Sequence, residues 1–131
     1  MAKVNELEVV AALILRHGRL LLAQRGPQGD QPGLWEFPGG KVDAGESQPQ
    51  ALRRELNEEL AIDATIGAYI ASESRVVGER TINLHAWQVT DFSGEPVAIC
   101  HQALTWVEPA EAFSFALAPA DIPLLQAFLD R

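Results

Sequence analysis

A single cysteine, Cys100, leaves no partner for an internal disulfide, which fits a reducing compartment. Long apolar runs are missing as well: none reaches the roughly 18 residues that a membrane-spanning helix needs. The opening Met1-Ala2-Lys3-Val4-Asn5-Glu6 has neither an apolar stretch nor a cleavage site, so no signal peptide is expected. These absences read as a cytoplasmic protein without a membrane partner. Basic residues are scarce, 10 against 18 acidic ones, for a net charge of −8. That balance argues against a non-specific grip on a nucleic acid polymer. It leaves room for a phosphate-bearing small molecule, because bound cations would reverse the local sign. Repeats, linkers and low-complexity tracts are absent, and 47% of the 131 residues are apolar. One domain over residues 1–131 with a substantial core is expected, working as a monomer.

What is present begins with a hairpin. Residues 6–16 hold the β-favouring run Val9-Val10-Ala11-Ala12-Leu13-Ile14-Leu15. His17-Gly18 makes the turn, and Arg19 to Arg25 returns, apolar enough to be covered on both faces. Residues 26–33 form a loop by composition. Further on, Ala64–Val76 and Arg80–Thr90 are expected as strands around a turn at Gly78, the second with period-2 alternation. Residues 91–100 read as loop with a strand fragment, and 101–107 as a short strand holding Trp106. A helical turn over 108–112 and a last helix over Ile122–Leu129 follow. Strands with two main helices predict a layered α/β domain with a mixed sheet.

Between these lies the most informative stretch. Gly39-Gly40-Lys41-Val42-Asp43-Ala44-Gly45-Glu46 leads into a helix that Ser47 and Gln50 start as a capping box, with Pro49 tolerated in the first turn. Ala51, Leu52, Leu56 and Leu60 form its buried stripe. The helix should stop near Ala61 in left-handed geometry, where glycine would be usual. Glu55, Glu58 and Glu59 share the other face, since i, i+3 and i+4 are neighbours on a helix. Three carboxylates within one turn repel one another, and a cation among them would remove the conflict. Mg²⁺ binds through a few carboxylates plus substrate phosphates, with Mn²⁺ as the alternative cation.

Residues 40–62 match the pattern G-x5-E-x7-R-E-U-x-E-E-x-G-U at Gly40, Glu46, Arg54, Glu55, Leu56, Glu58, Glu59 and Ile62. This resembles the box of the Nudix hydrolase family; only its late glycine is replaced, by Ala61. The stretches Gly33 to Lys41 and Leu117-Ala118-Pro119-Ala120-Asp121 resemble MutT-like members. Leu22-Ala23-Gln24-Arg25 and Leu84-His85-Ala86-Trp87 are similar to the bacterial branch that hydrolyses CTP. The resemblance implies an α/β/α sandwich with a mixed sheet and Mg²⁺-dependent conversion of a nucleoside triphosphate and water to the monophosphate and pyrophosphate. CTP, dCTP, 5-methyl-dCTP or oxidised purine dNTPs are the expected substrates, in cleansing the nucleotide pool. Hydrolysis of ADP-ribose or nucleotide sugars, or nucleotide binding without turnover, are the alternatives.

Carried over position by position, the resemblance implies metal ligation by Glu55, Glu58, Glu59 and the Gly39 carbonyl. It also implies a Glu46–Arg54 pair holding loop to helix, and catalytic roles for Glu55, Glu58 and Arg54. Arg25, Glu36, Phe37, Arg75, Arg80 and Asp121 become the expected substrate contacts. MutT-like relatives carry a glutamate just ahead of the segment resembling His101-Gln102, where this chain has Cys100. The proton acceptor is therefore either a helix glutamate or, with the loop alignment shifted, Glu95.

Blander roles stand beside these. Asp121 could simply cap the last helix. Arg75 and Arg80 could be solvated strand residues. His85 and His101 lack a suitably spaced partner for a metal, and Trp35, Trp87 and Trp106 suit the core.

Overall fold

The computed structural model describes residues 5–131. The start of the expected domain, with Met1–Val4 of the segment read for a leader, lies outside the described residues. Strand β1 (Asn5–Arg16) turns at His17-Gly18 into β2 (Arg19–Gln24), as the apolar runs predict. Val10 to Ile14 and Leu20 to Ala23 are at most 2% exposed, so this hairpin is covered on both faces. Next come β3 (Trp35–Glu36), β4 (Gly39–Lys41) and helix α1 (Gln48–Leu60). After α1 run β5 (Asp63–Thr65), β6 (Tyr69–Val77), β7 (Arg80–Val89), β8 (Asp91–Ser93) and β9 (Ala103–Val107). A 3₁₀ turn over Pro109–Ser114 and helix α2 (Asp121–Leu129) complete the chain.

The main sheet is mixed. β1 runs parallel to β7 from Asn5↔Arg80 to Ile14↔Val89, and antiparallel to β2 and β4. β6 flanks β7, while β3 and β9 flank β2. Because strand side chains alternate, β1 feeds two cores. Val10, Ala12 and Ile14 pack against Ala51, Leu52, Leu56 and Leu60 of α1. Ala11 and Leu13 face the other way, onto Leu20, Leu22, Leu124 and Leu125. A helix on each face of the sheet is the expected α/β/α arrangement. Each fully buried leucine contributes about 2 kcal/mol to holding it. The three tryptophans are half-buried against these clusters. Among the described residues no helix is long and apolar enough to cross a membrane.

Three expectations need correction. The strand placed over Ala64–Val76 is two strands, broken at 66–68, where Gly67 N–H donates to Gln88 O at 2.8 Å. Its first piece leaves the main sheet and pairs with β8 (Ala64↔Phe92). Residues 101 and 102 precede β9 rather than belonging to it. Finally, α2 begins at Asp121, with Ala120 as a cap that makes no side-chain hydrogen bond, so Asp121 is not the N-cap.

Candidate active site

The glycine loop meets α1 through close approach. A Cβ at Gly39 would overlap the Val10 carbonyl, where β4 lies on β1. A Cβ at Gly40 would overlap the carboxylate of Glu55. Glycine at 39 lets β4 lie on β1, and glycine at 40 leaves the space that the Glu55 carboxylate occupies.

The loop is then locked by Arg54. Its Nε donates to Glu46 Oε2 at 2.8 Å and its Nη2 to Oε1 at 2.9 Å, a bidentate pair. Nη2 also reaches the Lys41 carbonyl at 3.0 Å, and Glu46 Oε1 accepts the Asp43 amide at 3.0 Å. The Arg54 hydrogen bonds and the Asp43 amide bring the Glu46 carboxyl down to about 2. Ser47 accepts from the Gln50 amide and Gln50 accepts from the Ser47 amide, so the expected capping box is formed.

Arg54 also organises the acids. Its Nη1 lies 3.3 Å from Glu55 Oε2 and 3.3 Å from Glu58 Oε1. Burial raises the Glu55 carboxyl, with Arg54 acting against it. Burial raises Glu59 further, to about 7; the His101 charge opposes this, and Glu55 and Glu36 add to it. Oε1 of Glu59 is buried without a hydrogen-bond partner, a costly condition for a carboxylate. Arg54 draws Glu55 and Glu58 toward itself, and among the described residues no three His, Cys, Asp or Glu side chains surround one point. The chemistry nevertheless fits a hard cation: an orphaned buried carboxylate oxygen, and a second carboxylate seated in a glycine cradle.

A cavity of about 570 Å³ opens from Gly39 and Gly40. Arg25, Glu36, Phe37, Arg75 and Asp121, five of the six expected substrate contacts, also line it. Arg80 is the exception. It shares the face of Ile82 and Leu84 by strand alternation, but sits at the start of β7, beyond the lining of the cavity. Glu36 accepts from Arg25 Nε at 2.7 Å on Oε1 and lies 2.8 Å from His101 Nε2 on Oε2. Burial pushes the Glu36 carboxyl up, but these two partners more than reverse it and leave it below the usual range. Asp121, 4% exposed, accepts the Phe37 amide on Oδ2. Burial raises its carboxyl to about 7, against the pull of that amide.

The loop after β8 carries both Glu95 and Cys100. Glu95 forms a bidentate pair with Arg16 at 2.8 and 3.2 Å, and Arg16 lies over the Trp106 ring at 4.4 Å. This arrangement commits Glu95 to the end of the β1–β2 hairpin. Cys100 instead stands among the helix acids: burial raises its thiol, and the charges of Glu59, Glu55 and Glu58 raise it further. His85 lies on the sheet face away from the cavity, 2.8 Å from Glu8 and 3.0 Å from the Tyr69 hydroxyl. His101, weighed in the sequence only as a metal ligand, meets Glu36 instead; spacing carries no signal for that contact, because the two are 65 residues apart.

A family model described as NUDIX domain matches residues 5–128. The chain is 62% identical over 123 residues to a CTP pyrophosphohydrolase of Escherichia coli (strain K12), covering 94% of this chain and 91% of that protein. It is 42% identical over 116 residues to a putative 8-oxo-dGTP diphosphatase 2 of Mycobacterium tuberculosis, covering 86% and 81%. The solution structure of the E. coli ORF135 protein superposes with a TM-score of 0.90 at 60% identity, over 96% of this chain and 90% of that one.

Proposed function

The chain belongs to the NUDIX family, and from that premise we propose that it converts a nucleoside triphosphate and water to the monophosphate and pyrophosphate. CTP-like nucleotides are the preferred substrates. The observation that carries this reading is one cavity lined both by Gly39 and Gly40, the cradle of Glu55, and by the carboxylates of half-buried Glu36 and buried Asp121. A triphosphate at one end and a nucleobase at the other would fill such a space.

NUDIX hydrolases typically use a divalent metal; here Glu55, Glu58, Glu59 and the Gly39 carbonyl would hold Mg²⁺. When bound, the ion would neutralise phosphate charge and sharpen an attacking water. The remaining work falls to the chain. Arg54 and Glu46 keep the glycine loop in register with α1, so the carboxylates and the phosphates meet at fixed positions. Arg75, exposed at the rim, offers a guanidinium to the phosphates. Glu36 and Asp121 face the base, where a carboxylate accepts from the exocyclic amine of cytosine. The water's proton goes to a helix glutamate, because burial and the neighbouring carboxylates push the Cys100 thiol up and Glu95 is engaged by Arg16. A carboxylate clamped to a metal is a weak base, so the acceptor is one the ion leaves partly free.

Pyrophosphate release with Mg²⁺ from CTP, dCTP, 5-methyl-dCTP, 8-oxo-dGTP and ADP-ribose tests the reading. Pyrophosphate and the nucleoside monophosphate from a cytidine nucleotide are expected. Phosphate monoesters from ADP-ribose, with no triphosphate cleaved, would overturn it, as would nucleotide binding with no turnover of anything.

A further inference from the structure

His101 sits where two parts of the site meet. The loop that carries it is fastened on both sides. Val97 and Ile99 donate their amides to Leu60 O and Glu59 O, closing the end of α1. Gln102 donates its amide to Gln24 O and its side chain to Arg25 O, at the end of β2. Between these anchors the His101 side chain is 5% exposed, with Nε2 on Glu36 Oε2 at 2.8 Å. An ionised carboxylate can only accept, so Nε2 carries the proton. The other oxygen of Glu36 is held by Arg25, whose own Nη1 is fixed on Asp30 O at 3.1 Å. Each Glu36 oxygen thus has one donor and one remaining acceptor direction, and Glu36 lines the cavity.

We propose that His101 is a positioning residue for base selectivity. By holding one oxygen of Glu36 while Arg25 holds the other, it fixes the carboxylate as an acceptor aimed at the amino edge of a nucleobase. A base presenting an amino group there is matched, and one presenting a carbonyl meets an acceptor with an acceptor. His101 reads the base through Glu36 without touching it. This rests on the nucleotide reading of the cavity.

The test uses CTP against UTP, which differ by amino and carbonyl at that edge. His101→Phe keeps ring volume and removes the donor; His101→Gln places an amide N–H near the position of Nε2. For His101→Phe the CTP-to-UTP ratio of kcat/KM should fall about tenfold, the worth of one charge-assisted hydrogen bond. The loss should fall on the KM for CTP, with kcat kept within roughly threefold. His101→Gln should regain most of the preference. An unchanged ratio in His101→Phe, an equal loss on both nucleotides, or no recovery in His101→Gln overturns the assignment. Dissociation constants for non-hydrolysable CTP and UTP analogues keep the two readings separate. A wild type that binds without hydrolysing removes the hydrolase reading, while the binding ratio still measures His101. A wild type that binds neither analogue removes both.

Discussion

Oδ2 of Asp121 accepts the backbone amide of Phe37 at 3.1 Å, joining residues 84 apart in the chain. The bond stitches the first turn of α2 to the segment between β3 and β4, and it occupies an aspartate that could otherwise have capped its helix. Burial holds this carboxyl at about 7 in the folded protein, against about 4 in an unfolded chain. Between those values the unfolded state binds fewer protons, so stability falls as pH rises. The contribution of Asp121 is complete below about pH 4 and lost as pH climbs through 7. Asp121→Asn keeps an acceptor for Phe37 and removes the titration. Its melting temperature relative to wild type should therefore climb from pH 5 to pH 8. Parallel melting curves across that range would show that Asp121 titrates normally.

The two loop glycines should fail in different ways. At Gly39 an added methyl meets the Val10 backbone, which cannot move without unpairing β4 from β1. Gly39→Ala should cost roughly 3 kcal/mol of stability, in the range of core overpacking. At Gly40 the methyl meets the Glu55 side chain, which can swing aside. Gly40→Ala should keep a melting temperature close to wild type and lose turnover about a hundredfold, because one carboxylate no longer reaches its place. Chemical denaturation alongside a pyrophosphate assay separates the outcomes, and a similar stability loss in both would contradict this division.

The legibility of this protein in its sequence follows the range of the interactions. The hairpin turn, the capping box of Ser47 and Gln50, the buried stripe of α1 and the left-handed stop at Ala61 are local, and period and turn chemistry announce them. The Arg54–Glu46 lock was readable only through the resemblance of residues 40–62 to the Nudix box, which implies that pair. The break at 66–68 was hidden because Ala64-Thr65-Ile66 favours strand wherever it lies, and pairing with β8 decides which sheet it joins. Arg80 lies beyond the cavity lining, because alternation gives the face of a strand but not how far a cavity extends along it. The contact of His101 with Glu36 was hidden because the two residues are distant in sequence.

Glu59 and Glu58 should separate stability from chemistry. Glu59 Oε1 is buried without a partner, so in metal-free protein Glu59→Gln should raise stability by about 1 kcal/mol. The same change should abolish stabilisation by added Mg²⁺ and reduce turnover at least about a hundredfold. Glu58 is exposed, and its pairing with Arg54 is worth a few tenths of a kcal/mol. Glu58→Gln should leave the metal-free melting temperature almost unchanged while abolishing turnover. Melting curves with and without Mg²⁺, set against activity, make the comparison. Near-normal rates in Glu58→Gln would remove it from the site.

Ala61 offers a stabilising change outside the chemistry. It closes α1 at φ 61° and ψ 33°, with its amide donating to Asn57 O at 3.1 Å. That conformation brings a Cβ close to the following carbonyl, and glycine is free of the conflict. Ala61 is exposed, while Ile62 after it is fully buried, so the turn must stay as it is to deliver Ile62 to the core. Ala61→Gly should gain about 0.5–1 kcal/mol, the relief of strain exceeding the added freedom of the unfolded chain. For a domain of this size that is a rise of roughly 2–4 °C in Tm. Ala61→Val, β-branched at a left-handed position, should lose more than the glycine gains. A thermal melt of the three proteins decides, and a glycine variant that melts below wild type would mean that the left-handed cap carries no strain at Ala61.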